Sequence, residues 1–139
     1  MQQKMPEIEY VHDRMETEEL LERLCPPVRN WFMDKFPDFT EPQKVAIPRI
    51  LNGEHLLLCS PTGSGKTLTA FLTIIDDLVR GSLDGTLPDS VQCVYISPIK
   101  ALANDIEKNL LGPLGEIKER YLPSRAKEIK VGLRTGDTP

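Results

Sequence analysis

The sequence predicts an α/β fold built on parallel strands. A short apolar run at 55–60 (HLLLCS) is of the kind a strand buried on both faces requires, 91–97 (VQCVYIS) reads as a second buried strand and 128–133 (EIKVGL) as a third strand. Two amphipathic helical patterns separate them, and strand, helix, strand, helix, strand implies right-handed crossover units. A third observation is the glycine loop that joins the first run to the first of these helices.

Residues 1–17 show no clear period and are expected to be an arm, with 18–139 forming the domain. EELLERL begins a helical pattern at Glu18, and Pro26-Pro27 suits a break and a new start for PPVRNWFMDKF. FPDFTEP is a turn-rich joint. Thr40 can cap the helix EPQKVAIPRILNG, with Pro42 in its first turn, Pro48 as an expected kink and Gly53 just past its end. After the glycine loop a helix is expected from Lys66 to about Arg80, with Leu68, Leu72, Ile75 and Val79 as its inward stripe. GSLDGTLPDS then reads as a surface loop. Leu102, Ile106, Leu110, Leu114, Ile117 and Tyr121 mark a further amphipathic helix, which Gly112-Pro113 should bend or split.

The 139 residues are 40% apolar and 27% charged, the balance of a globular domain. No apolar run approaches the roughly 20 residues of a membrane span, and MQQKMPEIEYVHD lacks an apolar secretion signal, so a cytoplasmic setting without membrane association is expected. Cys25, Cys59 and Cys93 have no metal-site spacing and are read as reduced core residues. The net charge of −4 hides an asymmetry: residues 1–90 hold 9 Lys and Arg against 15 Asp and Glu, residues 91–139 hold 8 against 6. A general basic footprint for nucleic acid is therefore absent, and any phosphate-tracking surface has to be local.

The chemistry lies in SPTGSGKT, residues 60–67, between an apolar run and a helix start. It meets the pattern G-x-x-x-x-G-K-[ST] except at the first position, where Ser60 replaces Gly. Gly63 and Gly65 allow successive N–H groups to turn inward, the helix N-terminus adds positive dipole, and Lys66 can reach the outer phosphates of a nucleoside triphosphate. Pro61, Thr62 and Ser64 complete the cradle, and the Thr67 hydroxyl suits Mg2+. Phosphoryl transfer also needs a carboxylate at a strand end. TIIDD (73–77) has that look but lies inside the helix the loop must open, so Asp76 and Asp77 are read as a solvated helix face.

FTEPQKVAIPRILNGEHLLLCSPTGSGKT (39–67) resembles the Q-motif and motif I of superfamily 2 helicases. The resemblance implies that Gln43 reads the adenine edge, with Phe36 or Phe39 packing on the base. SPIKALANDIEKNL (97–110) is similar to motif Ia, which implies contacts of Pro98, Lys100 and Asn104 with a nucleic-acid backbone. RTGDTP (134–139) resembles a further loop on that track, implying Arg134, Thr135 and Gly136 as contacts and Asp137 as a brace. Together the blocks look most like the large helicase-related (Lhr) family of DExH-type enzymes, over residues 20–139. That likeness implies a RecA-like P-loop domain, ATP hydrolysis with Mg2+, and translocation on single-stranded or partly duplex nucleic acid, DNA rather than RNA, in repair or recombination.

The DExH carboxylates, the Ser-Ala-Thr coupling motif and the second RecA-like domain with its arginine finger are absent from these residues. The domain is thus expected to be incomplete, inactive alone, and partnered by the remainder of a helicase chain. A small P-loop kinase and a non-catalytic nucleotide-binding module are the other readings. The first should show an arginine-rich lid, and no such segment is present.

Overall fold

In the computed structural model, which describes residues 5–136 and 138–139 with Ile99 as backbone alone, the helix after the glycine loop is α4 (Lys66–Asp84). It is the spine of the molecule. Its expected stripe points inward, with Leu72, Ile75 and Val79 fully buried, Phe71 at 1% exposure and Leu68 packed partly against the core. Each such burial contributes about 1.5–3 kcal/mol relative to exposure. The helix runs past Arg80 and takes in the first residues of the expected loop GSLDGTLPDS. A helical Gly81 costs about 1 kcal/mol, but its missing side chain lets Leu87 pack close, and the Ser82 hydroxyl donates to the Lys127 carbonyl.

Three helices precede the loop: α1 (Thr17–Arg23), α2 (Pro26–Lys35) and α3 (Glu41–Leu51). Pro26 and Pro27 open α2 where missing N–H groups cost nothing. Leu20, Leu24, Val28, Trp31, Phe32, Phe39 and Ile47 from these helices and their joints close on α4 in one core. Residues 14–17 are not a free arm. The Met15 N–H donates to the Lys44 carbonyl at 3.0 Å, and Arg14 pairs with Glu41 at 2.8 Å.

The C-terminal helical segment comprises α5 (Ile99–Ile106), a π turn (Glu107–Leu111) and α6 (Gly112–Tyr121). The expected interruption at Gly112-Pro113 is this π turn. Pro113 has no N–H for the carbonyl four residues back, and the Gly112 N–H instead reaches the Glu107 carbonyl, five residues back. The helical path therefore continues, and Leu110 and Ile117 stay on the core face. Against α2, α6 is held by polar ties: Trp31 Nε1 donates to Glu116 Oε2 at 2.8 Å, Lys35 Nζ to Glu116 Oε1 at 3.0 Å, and the Tyr121 hydroxyl to Asp34.

The expected parallel sheet is not formed. Among the described residues there is no strand, and 55–60, 91–97 and 128–133 run without ladder hydrogen bonds. Leu57 is 87% exposed, Val91 80% and Ile96 88%. Apolar composition favours a buried strand, but a strand exists only when a neighbour pairs its N–H and C=O groups. Among the described residues none of the three runs has a neighbour that pairs with it. Cys59 and Cys93 are exposed for the same reason, contrary to the core reading, while Cys25 is buried. The second run still touches the core through Tyr95, whose ring lies 4.6 Å from that of Phe71.

Lys35 first, and then the Trp31 N–H, holds the Glu116 carboxyl below its ordinary value of 4.5. A depressed carboxylate pKa contributes stability that is complete above the unfolded value and lost as pH falls through the folded one. Thermal midpoints measured from about pH 6 to about pH 3 should therefore fall with acid, and Glu116→Gln should flatten that dependence.

Candidate phosphate-binding site

Residues 60–67 form an open cradle at the N-terminus of α4. Gly63 and Gly65 adopt left-handed φ values of +83° and +82°, which side-chain-bearing residues rarely accept. The Ser64 N–H donates to the Pro61 carbonyl at 3.3 Å, closing the turn, and the Ser60 and Ser64 hydroxyls bond to each other. Gly65 is the N-cap of α4 and brings no side chain to cap it, so the first amides of the helix have no side-chain cap, the arrangement at which helix N-termini take anions. Lys66 Nζ donates to the Ser60 carbonyl, lying back along the loop. Pro61, Thr62 and Gly63 are exposed, while Ser64, Gly65, Lys66 and Thr67 are half-buried.

The cradle is tied to α3 by the Thr40–Gln43 corner. Gln43 Oε1 accepts the Thr40 N–H at 2.9 Å, part of a capping box. Thr40 Oγ1 donates to the Ser64 carbonyl at 2.8 Å and Gln43 Nε2 to the Gly65 carbonyl at 3.2 Å. That last oxygen also accepts the N–H of Thr69 at 3.0 Å and its Oγ1 at 2.8 Å. Gly65 has a second reason to be glycine, since a Cβ there would lie 2.6 Å from Gln43 Nε2.

Gln43 is 3% exposed. An amide offers two lone pairs and two N–H donors, so one acceptor and one donor remain after these bonds. Of the two aromatic candidates, Phe39 is buried and stacked on Phe32 with centroids 4.0 Å apart. Phe36 lies 5.0 Å from Phe32 and 5.9 Å from Trp31, and at 37% exposure keeps a face toward solvent.

A triphosphate fits this donor set: uncapped amides, one ammonium and no carboxylate in the loop. The fit to Mg2+ is narrower. Among the described residues no group of three His, Cys, Asp or Glu could hold a metal ion, so that ion's reading rests on the Thr67 hydroxyl and on phosphate oxygens. A cleft of about 640 Å3 lies elsewhere, lined by Arg23, Leu51, Ile74, Leu78, Arg80 and Cys93 among others.

Asp76 and Asp77 part company. Asp77 is exposed, as expected of a helix face, but Asp76 is 1% exposed. Its Oδ1 accepts the Cys25 N–H at 2.7 Å and its Oδ2 the Arg80 Nε–H at 2.7 Å, while Arg80 Nη2 donates to the Arg23 carbonyl. Asp76 is thus a buried brace for the α1–α2 corner, contrary to the solvated reading. Burial first, then this neighbouring carboxylate, pushes the Cys25 thiol up to about 12, so it stays protonated.

The residues implied for nucleic acid stand apart from the cradle, and among the described residues no hydrogen bond joins them to it. Pro98 is the exposed N-cap of α5, and Lys100 and Asn104 are exposed on that helix. Arg134 and Gly136 are exposed, and Thr135 is drawn into a turn by its N–H bond to Thr138 Oγ1 at 2.8 Å. Asp137 lies outside the described residues.

A family model described as DEAD/DEAH box helicase matches residues 40–132, from the Thr40 corner through the last apolar run. The chain belongs to the DEAD/DEAH box helicase family. It is similar to the ATP-dependent helicase Lhr-Core of Methanocaldococcus jannaschii, 45% identical over 136 residues covering 96% of this chain and 16% of that protein. The ATP-dependent helicase Lhr-Core of Methanothermobacter thermautotrophicus is 55% identical over 116 residues, 83% of this chain and 14% of the relative. The Lhr helicase/uracil glycosylase of Escherichia coli is 40% identical over 120 residues, 82% of this chain and 8% of the relative. The chain thus spans a small part of the length of these DEAD/DEAH helicase relatives. No solved structure matches it.

Two members of this helicase-family cradle lie outside the sequence candidates. Thr40 reads from sequence only as a cap, though T-x-x-Q is the capping-box spacing that also brings Gln43 to the loop. Thr69 has a signal in its place four residues after Gly65, where a threonine hydroxyl bonds back to the preceding turn.

Gly65→Ala should lower stability by about 1–2 kcal/mol for the left-handed backbone alone, and by more from the clash with Gln43. In chemical denaturation, Gln43→Ala should recover part of that loss in the double variant. Asp76→Ala leaves the buried Cys25 N–H unpaired and should cost about 2–3 kcal/mol in the same assay.

Proposed function

We propose that this chain is the ATP-binding portion of an ATP-dependent helicase or translocase that moves on nucleic acid, DNA in preference to RNA, in repair or recombination. The observation that carries the reading is the cradle at the start of α4, with uncapped amides, Lys66 and Thr67 at its mouth and the Thr40–Gln43 corner bonded to its backbone. The family membership supports a nucleic-acid motor over a small P-loop kinase, and relatives named as ATP-dependent helicases support ATP as the ligand. Three free cysteines agree with a reducing, cytoplasmic setting, and among the described residues no helix is long and apolar enough to cross a membrane.

Bound ATP would supply the phosphoanhydride whose cleavage powers the motor, with Mg2+ screening its phosphates beside Thr67. The amides of Gly63, Gly65 and the first turn of α4 bind the anion, and Lys66 exchanges the Ser60 carbonyl for phosphate oxygens. Gln43 reads the adenine edge and Phe36 packs on the base. Lys100, Asn104, Arg134 and the backbone at Pro98, Thr135 and Gly136 hold phosphates of the single strand. The remainder of a helicase chain supplies the acidic metal-binding residues and the arginine finger.

Titration with a fluorescent ATP analogue should show binding that Lys66→Ala weakens at least about tenfold. Steady-state ATP turnover should be absent from this chain, and turnover that disappeared in Lys66→Ala would refute its inactivity. In fluorescence anisotropy, Lys100→Ala and Arg134→Ala should each weaken binding to single-stranded DNA. Each should also make the slope of log affinity against log salt shallower by about 0.7 for every phosphate it no longer neutralises.

A further inference from the structure

Asp38 is the point at which three separate parts of the chain meet. Its Oδ1 accepts the Thr17 hydroxyl, at the first residue of α1, and the Phe39 N–H at 2.7 Å, while its Oδ2 accepts Lys44 Nζ at 3.0 Å. Phe39 immediately precedes Thr40, and Lys44 immediately follows Gln43. One carboxylate therefore grips both sides of the corner whose side chains bond the cradle.

The grip is reinforced from the N-terminal side. Lys44 is 7% exposed, its carbonyl accepts the Met15 N–H at 3.0 Å, and Arg14 holds Glu41, the first residue of α3, at 2.8 Å. Asp38 itself is half-exposed, with 52% of its side chain open to solvent, so core packing does not account for this arrangement. Thr17 first, and Lys44 next, hold its carboxyl below the ordinary 3.8, which keeps it ionised and accepting at neutral pH.

We propose that Asp38 is a positioning residue for base recognition: by clasping Thr17, Phe39 and Lys44 together it sets the angle at which Gln43 meets a purine. The inference rests on the nucleotide reading above and deepens it. The free donor and free acceptor left on the Gln43 amide match adenine, which offers N6–H and N7, and mismatch guanine, which offers two acceptors at O6 and N7. Such a match depends on orientation. A corner free to rock would still leave the phosphate cradle, whose donors are the amides from Gly63 into the first turn of α4 and the Lys66 ammonium, able to take the anion.

The test compares the affinities of the whole chain for ATP, GTP and inorganic tripolyphosphate, with variants Asp38→Ala, Thr17→Val, Gln43→Ala and the Asp38→Ala, Gln43→Ala pair. The wild-type chain should prefer ATP to GTP. Asp38→Ala should reduce that preference at least fivefold and Thr17→Val by a smaller factor, with tripolyphosphate affinity within twofold of wild type. The pair should lose no more preference than Gln43→Ala alone, because Asp38 acts through Gln43.

An unchanged preference in Asp38→Ala, a parallel fall in tripolyphosphate affinity, or a wild-type chain indifferent to the base would each overturn the proposal. Failure of the nucleotide reading itself looks different, since tripolyphosphate would then bind equally to wild type and to Lys66→Ala.

Discussion

Burial of one helix is the constraint on which the rest of this structure depends. The inward face of α4 is covered by α2, α3 and the π turn between α5 and α6, and Leu72, Ile75 and Val79 have no exposure at all. The first turn of the same helix carries Lys66 and Thr67. Whatever packs on the stripe therefore also fixes where the phosphate cradle points. Asp76 sits on that helix one turn from Leu72 and Val79, and it ties the α1–α2 corner to the spine through a backbone amide that two following prolines cannot supplement.

The cradle is held from outside as well as from its own helix. Three donors converge on the Gly65 carbonyl, one from Gln43 and two from Thr69, while Thr40 holds the Ser64 carbonyl beside it. A loop of small residues has little side-chain packing to restrain it, so hydrogen bonds to its carbonyls supply the order. Those carbonyls are spent on these bonds, and no side chain caps the first amides of α4. The same bonds join the entry of α3 to the loop at two neighbouring carbonyls, those of Ser64 and Gly65.

Much of the cradle is legible in the sequence because its requirements are local. Gly63 and Gly65 are needed by backbone angle, Lys66 by reach, and the stripe from Leu68 to Val79 by helical period. The Thr40 cap and the breaks at Pro26-Pro27 and Gly112-Pro113 likewise follow from steric rules that act within a few residues. Asp76 escapes such rules because an acidic pair on a helix resembles a solvated face until the Cys25 amide, 51 residues away, is brought against it. The corner bond from Gln43 to Gly65 escapes them for the same reason, since the partners are 22 residues apart.

The apolar runs show the boundary most sharply. Their composition is that of strands, and the sequence by itself supplied the order of the helices, the glycine loop and the likeness to superfamily 2 helicases. Whether the runs pair was decided only in three dimensions, where 55–60, 91–97 and 128–133 lie without ladders and expose Leu57, Val91 and Ile96. A helix finds its backbone partners within its own residues, so sequence alone settled α1 to α6 closely. A strand must borrow its partners from another segment, and no property of the run itself can provide them.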